Sequence, residues 1–158
     1  MPKHQPVETI ARGLATHGSR VLLCRSKKHQ HHYLPGGHIE FGEPARAALT
    51  REIEEEAGLG CEVGALLLTE EQVFTQNGKN RHEITLIFHI TGLDIEADAA
   101  DSPGAEPPPV PSVEDHIEFV WVDLASVPDL VIYPESTKAW LASGGEYDEE
   151  QGAFLPAD

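Results

Sequence analysis

Three carboxylates, Glu52, Glu55 and Glu56, stand at i, i+3 and i+4. On a helix those offsets put all three on one face within one turn. Like charges so placed repel by about 0.2–0.5 kcal/mol per pair, and no lysine follows at i+4 to relieve them. A bound cation turns that repulsion into coordination. Carboxylate, backbone carbonyl and water oxygens suit hard ions such as Mg²⁺ or Mn²⁺. A bare glutamate cluster is equally what a solvated helix face looks like, so its neighbours matter. Arg51 can order the carboxylates through charge-assisted hydrogen bonds. Gly36-Gly37 lets a backbone carbonyl approach a ligand with no side chain in the way. Glu43 marks a helix start tied to that glycine loop.

These residues need a helix, and the sequence predicts one from Pro44 to Gly58. Pro44 suits the first helical position, where its missing N–H is not needed. Glu43 precedes it and puts negative charge at the positive helix end. Ala45, Leu49 and Ile53, with Ala48 beside them, form a stripe to bury, and Gly58 supplies the stop. Val7–His17 and Val21–Arg25 read as two strands joined at His17-Gly18-Ser19. Tyr33-Leu34-Pro35 is extended and breaks at the two glycines. Val63–Phe74 and Glu83–Thr91 read as strands joined through Asn77-Gly78, a hairpin signal. Ile117–Val122 is a further strand, and Tyr133-Pro134-Glu135 opens a short helix to Ala142. The Pro-, Asp- and Ala-rich stretch 93–112 reads as an exposed, mobile loop insertion, and 144–158 as an acidic flexible tail. The expectation is one domain over 1–143, α+β or an α/β/α sandwich with a mixed sheet.

Gly37–Leu59 reads Gly-His-Ile-Glu-Phe-Gly-Glu, seven residues, then Arg-Glu-Ile-Glu-Glu-Glu-Ala-Gly-Leu. This resembles the signature of the Nudix hydrolases, the MutT-like family: G-x5-E-x7-R-E-U-x-E-E-x-G-U, with U bulky and apolar. Gly37, Glu43, Arg51, Glu52, Glu55, Glu56 and Gly58 meet every fixed position, and Ile53 and Leu59 meet both U positions. At average residue usage such a match arises by chance about once in 10⁹–10¹⁰ start positions. The flanking strand order and the Trp121-Val122 strand also resemble the family. The resemblance implies a catalytic loop–helix–loop on an α/β/α sandwich. It implies Mg²⁺- or Mn²⁺-dependent cleavage of a phosphoanhydride bond in a nucleoside diphosphate linked to another group. By position, Glu52, Glu55 and Glu56 would bind metal, and the carbonyl of Gly36 or Gly37 would complete the shell. Arg51 and Glu43 would position them. Family members take the general base from a box glutamate or from a loop outside the box.

Further candidates lie outside the box. Glu114 and Asp115 precede the Trp121 strand, with Glu114 a candidate extra ligand or base and Asp115 an alternative or a substrate contact; an ordinary polar turn fits them too. Glu83, beside His82, is a similar candidate. Arg25, Lys27 and Lys28 could attract phosphates, or form a solvated basic turn. His29, His31 and His32 lack the spacing of a zinc site. Tyr33 and Phe74 could stack on a base, although each also suits a core. Phe74 stands where ADP-ribose-type members often carry proline, and the tyrosine of dinucleoside-polyphosphate members is absent. A nucleoside triphosphate or damaged nucleotide leads as substrate, with nucleotide sugars next.

The chain has 158 residues and a net charge of -16. That charge argues against a general nucleic-acid or membrane-surface binder, because polyanions repel it. A small anionic substrate stays open, since metal ions reverse the local field. Cys24 and Cys61 sit in apolar runs without metal-type spacing, which reads as reduced thiols in a cytoplasmic protein. No signal peptide or membrane span is expected, and a monomer or homodimer is. Two other readings compete. A non-catalytic nucleotide-binding Nudix-fold sensor would be expected to lose box carboxylates, which this chain keeps. An interaction protein using the acidic face leaves the Gly37–Glu43–Arg51 spacing unexplained.

Overall fold

Val21-Leu22-Leu23-Cys24 is apolar at every position, the pattern of a strand buried on both faces. The computed structural model describes residues 4–95, 104–145 and 154–155 and gives that strand this role. In chain order come β1 (Glu8–Leu14), β2 (Thr16–His17), β3 (Arg20–Ser26), β4 (His32–Tyr33) and β5 (Gly36–His38), then helix α1 (Ala45–Ala57). β6 (Cys61–Gln76), β7 (Lys79–Leu93) and β8 (Ile117–Asp123) follow, then a 3₁₀ turn (Leu124–Asp129), α2 (Glu135–Ala142) and β9 (Phe154–Leu155).

Two sheets result. The first has the order β5-β1-β7-β6-β9. It is mixed, since β1 runs parallel to β7 and antiparallel to β5. In the second, β8 covers one edge of β3 along its whole length, so β2 and β4 share the other edge. Alternate residues of β3 serve different cores. Leu22 and Cys24 pack with Ala48, Leu49, Ile53 and Ala57 of α1. Val21 and Leu23 pack with Trp140 and Leu141 of α2. β7 divides the same way, Phe88 and Ile90 toward α1 and Ile87 toward α2. Helices on opposite faces of the strands give the expected α/β/α arrangement.

Several expectations are refined. Val7–His17 is not one strand: Ala15, buried, accepts the Leu22 N–H at 2.9 Å, and the chain crosses there from the first sheet to the second. The long hairpin is as predicted at its turn, with Asn77 at φ 51 and Gly78 at φ 73, the signs of a type I′ turn. Its strands extend beyond the expected ends, and β6 slips register between Glu62 and Leu68. Pro44 precedes the helix rather than opening it, with an extended backbone (φ -63, ψ 140). Gly58 ends α1 in the left-handed region (φ 68), its N–H donating to Glu54 O.

The insertion is not wholly an exposed loop. Leu93 belongs to β7, residues 96–103 lie outside the described residues, and the following segment packs on the second sheet. Val110 is buried, and Trp121 Nε1 donates to Pro108 O at 3.0 Å. Of the tail, residues 146–153 and 156–158 lie outside the described residues. Phe154 and Leu155 pair in parallel with Thr69 and Glu70. None of the described helices is long and apolar enough to cross a membrane.

Leu49→Ala empties a fully buried position under α1 and is expected to lower the unfolding free energy by about 2–5 kcal/mol. Phe41→Ala, at a fully exposed loop side chain, is expected to change it by no more than about 0.5 kcal/mol. Urea denaturation of the two variants measures the contrast.

Candidate active site

The glycine loop and α1 meet because two positions lack a side chain. Gly36 has φ +133, and a Cβ there would collide with Ala11 O of β1. A Cβ on Gly37 would occupy the place of the Glu52 carboxylate. The β1–β5 ladder is bracketed by Gly13 N–H to Pro35 O and Ile39 N–H to Thr9 O, so alternation turns the polar backbone of Gly37 toward β1. Gly36 faces the other way. Its N–H favours the charged form of Glu56, and its carbonyl accepts from Arg12 Nη1 at 2.7 Å. Of the two candidate carbonyls, Gly36 is therefore the one on the side of the site, with a second lone pair still free.

Arg51 organises the acidic face. Its Nε and Nη2 donate to the two oxygens of Glu43 at 2.8 and 3.0 Å. Nη1 donates to Glu52 at 3.0 Å and reaches Glu55 at 3.4 Å, and Nη2 also donates to His38 O at 3.0 Å. Glu43 stands just before the helix N-cap Pro44, as expected, and its second oxygen also accepts the Glu40 N–H at 3.0 Å. The Arg51 guanidinium, with that N–H, holds the Glu43 carboxyl down at about 2.

Glu56 lies at the buried end of this face. Burial pushes its carboxyl up to about 7, Arg12 pulling the other way and Glu52 and Glu114 adding to the rise. Its Oε2 is buried without a hydrogen-bond partner. Such an oxygen costs free energy unless it is protonated or meets a cation. That orphan atom, next to other carboxylates and the Gly36 backbone, is an oxygen donor set suited to Mg²⁺ or Mn²⁺. Among the described residues no three His, Cys, Asp or Glu side chains converge on one point, so the fit rests on Glu56 and its surroundings.

The remaining candidates separate. The loop carrying Glu114 is tied to the helix by Val113 N–H to Glu56 O at 2.8 Å, which brings Glu114 to the site. Asp115 is exposed on the same turn. Arg25 is spent on Glu118, its cross-strand partner. Lys27 and Lys28 are exposed on the turn between β3 and β4, where Lys27 N–H donates to His116 O. His29 and His31 stack, while His32 is buried against Val131 O. Glu83 does not join the box. It is half-buried in a cleft on the α2 side, with Tyr33 on the wall; Phe74 lies on the distal hairpin, paired with Arg81.

Two residues were missed by sequence reasoning. Arg12 sits in the middle of β1, bonded to Leu34 O and Gly36 O, with its guanidinium 5.3 Å from the centre of the Tyr33 ring. A lone cation in the otherwise uncharged run of residues 9–14 was the available signal. Glu70 is buried beneath α2, accepting from Ser136 and Thr137. Nothing local in Thr69-Glu70-Glu71 distinguishes it from surface charge.

Residues 8–141 match the NUDIX domain, and the chain belongs to that family. It is 47% identical over 55 residues to the 8-oxo-dGDP phosphatase of Homo sapiens, covering 33% of this chain and 17% of that protein. It is 36% identical over 83 residues to diphosphoinositol polyphosphate phosphohydrolase 3-alpha of Mus musculus, covering 52% and 48%. The chain thus spans less than half the length of either relative. In fold it resembles the crystal structure of the MutT protein from Methanosarcina mazei Go1, with a TM-score of 0.66 at 19% identity over 94% of this chain and 98% of that one.

The Glu43–Arg51 pair carries a pH signature. The Glu43 carboxyl is lowered from 4.5 to about 2 in the folded chain. The unfolded chain therefore binds more protons between those values, and stability rises with pH across them. The contribution is fully present above 4.5 and is lost as pH falls toward 2. Denaturant titrations at several pH values in that window should show a smaller acid loss for Glu43→Gln than for the wild type.

Proposed function

We propose that this chain is a divalent-metal-dependent pyrophosphohydrolase. It cleaves a phosphoanhydride bond in a nucleoside diphosphate linked to another moiety, a nucleoside triphosphate or damaged nucleotide before a nucleotide sugar. The observation that carries this reading is the orphan, buried Glu56 Oε2 beside a carboxylate face held by Arg51. Glu52, Glu55 and Glu56, with Gly36 O and Glu114, would hold Mg²⁺ or Mn²⁺. The ions would supply Lewis acidity toward the bridging phosphates and the attacking water. Arg51 and Glu43 fix the carboxylates in place. Arg12 brings positive charge to the phosphate side of the cleft. A carboxylate of the box or Glu114 accepts the water proton. The likeness to an 8-oxo-dGDP phosphatase supports a nucleotide, and that to a diphosphoinositol polyphosphate phosphohydrolase adds a non-nucleotide diphosphate to the substrates worth testing.

The test is product analysis after incubation with Mg²⁺ or Mn²⁺ and nucleoside di- and triphosphates, dinucleotides, ADP-ribose, nucleotide sugars, capped RNA and a diphosphoinositol polyphosphate. Metal-dependent release of a nucleotide product is expected. Turnover of none of them would end the enzyme reading, and tight nucleotide binding without turnover would favour the sensor. Glu55→Gln and Glu56→Gln should each lose at least about a hundredfold in rate, or about 2.7 kcal/mol of transition-state stabilisation. Near-normal rates in both would remove them from the metal shell.

A further inference from the structure

A cleft opens on the α2 side of the first sheet. Its floor includes Arg12, Glu70 and Thr85, and its walls include Tyr33, Tyr133 and Thr137. Its interior holds about 50 Å³, room for several water molecules, and the rest of the space opens to solvent at the mouth. Arg12 connects it to the box, because the same guanidinium lines the cleft and holds the Gly36 carbonyl. The cleft and the glycine loop of the box thus share one cation.

Glu70 is the unusual group in this cleft. It is only 1% exposed. Ser136 Oγ donates to its Oε1, and Thr137 Oγ1 donates to its Oε2 at 2.8 Å and reaches Oε1 at 3.1 Å. The Ser136 hydrogen is committed to Glu70, because Ser136 Oγ itself accepts from Gln72 Nε2 at 2.7 Å. Two hydroxyl hydrogens, that of Thr137 shared between both oxygens, meet a carboxylate with about four acceptor positions, so acceptor capacity is left over. The hydroxyls also hold the carboxylate in a fixed plane under the N-terminal end of α2. Buried acceptor capacity of that kind is costly unless a donor fills it.

The mouth is aromatic. Tyr133 is half exposed. The His31 ring lies 5.3 Å from the Tyr133 ring and 5.8 Å from the Tyr33 ring, centre to centre. A flat heterocycle laid against the half-exposed Tyr133 ring at this rim gains stacking area and carries one edge down to Glu70.

We propose that Glu70 determines base specificity and reads a nucleobase with two adjacent N–H donors, a guanine-type edge, stacked at the Tyr33–His31–Tyr133 rim. This rests on the nucleotide reading above and specifies its base. The chemistry separates the alternatives. Guanine presents its ring N1–H next to its 2-amino group, matching two carboxylate oxygens. Adenine and cytosine place an acceptor beside their amino group, and uracil flanks its N–H with two carbonyls, so each sets a lone pair against a carboxylate. An unmatched polar edge at a buried acceptor is rejected strongly.

Calorimetric binding of guanosine, inosine and adenosine monophosphates tests this without requiring hydrolysis, since none has a phosphoanhydride bond. The guanosine form should bind at least about tenfold tighter than the inosine form, which lacks only the 2-amino group, and than the adenosine form. This ranking in the wild type needs no variant to fold. Glu70→Gln, which turns an N–H₂ toward one of the donors, should bring the three within about twofold of one another. Tyr133→Ala should weaken guanosine and inosine forms alike. Equal wild-type affinities, no binding of any of the three, or a guanosine preference that survives Glu70→Gln would overturn the proposal. Hydrolysis of nucleotides without base preference would overturn it while leaving the pyrophosphohydrolase intact.

Discussion

The Arg51 guanidinium is the constraint on which the acidic face depends. In one plane it donates to both oxygens of Glu43, to Glu52 and to the His38 carbonyl. That couples the glycine loop, the loop before α1 and the exposed face of α1 into one arrangement. A lysine, a point charge with three donors, has no fork to satisfy these directions together. The approach is possible because Gly36 and Gly37 leave room where a Cβ would meet Ala11 O and the Glu52 carboxylate. Cation and glycines act jointly: one draws the helix onto the loop, and the others allow the contact.

Arg12 has the complementary role inside the fold. It lies between two buried carboxylates on opposite sides of the first sheet, and its charge opposes the rise that burial imposes on both Glu56 and Glu70. Glu83 is influenced in the same direction. In a chain of net charge -16, this internal cation lets acidic groups converge on both the box and the cleft. The two-sided burial of β3 and β7 makes this possible, because one thin layer of strands separates the two helical sides.

Part of this arrangement is legible in the order of the residues, for reasons that differ from one position to the next. The asparagine–glycine turn and the Gly58 helix stop are local backbone requirements, and both stand where expected. Glu43 stands beside the helix end as expected, and its carboxylate pairs with Arg51, eight residues on. The basic pattern around Arg25 suggests free charge, but Glu118, reached only through sheet register, neutralises Arg25. The Pro-rich segment looks solvated because its composition is polar, but Val110 and the Pro108 carbonyl dock on the second sheet. Composition does not record a contact that only a few of its residues make.

The register of the box is a property of the chain order: Glu52, Glu55 and Glu56 share a face, and Gly37, Glu43 and Gly58 bracket them. Helical period and glycine backbone freedom act within a few residues, so neighbouring positions suffice to specify them. Long-range packing was needed to turn the polar backbone of Gly36, rather than that of Gly37, toward the site. It also brought Arg12 to that carbonyl, 24 residues away in sequence, and Glu70 under Thr137, 67 residues away. Those pairings depend on strand order, ladder alternation and the packing of α2. Each is a relation between distant segments, carried by no local pattern of residue types.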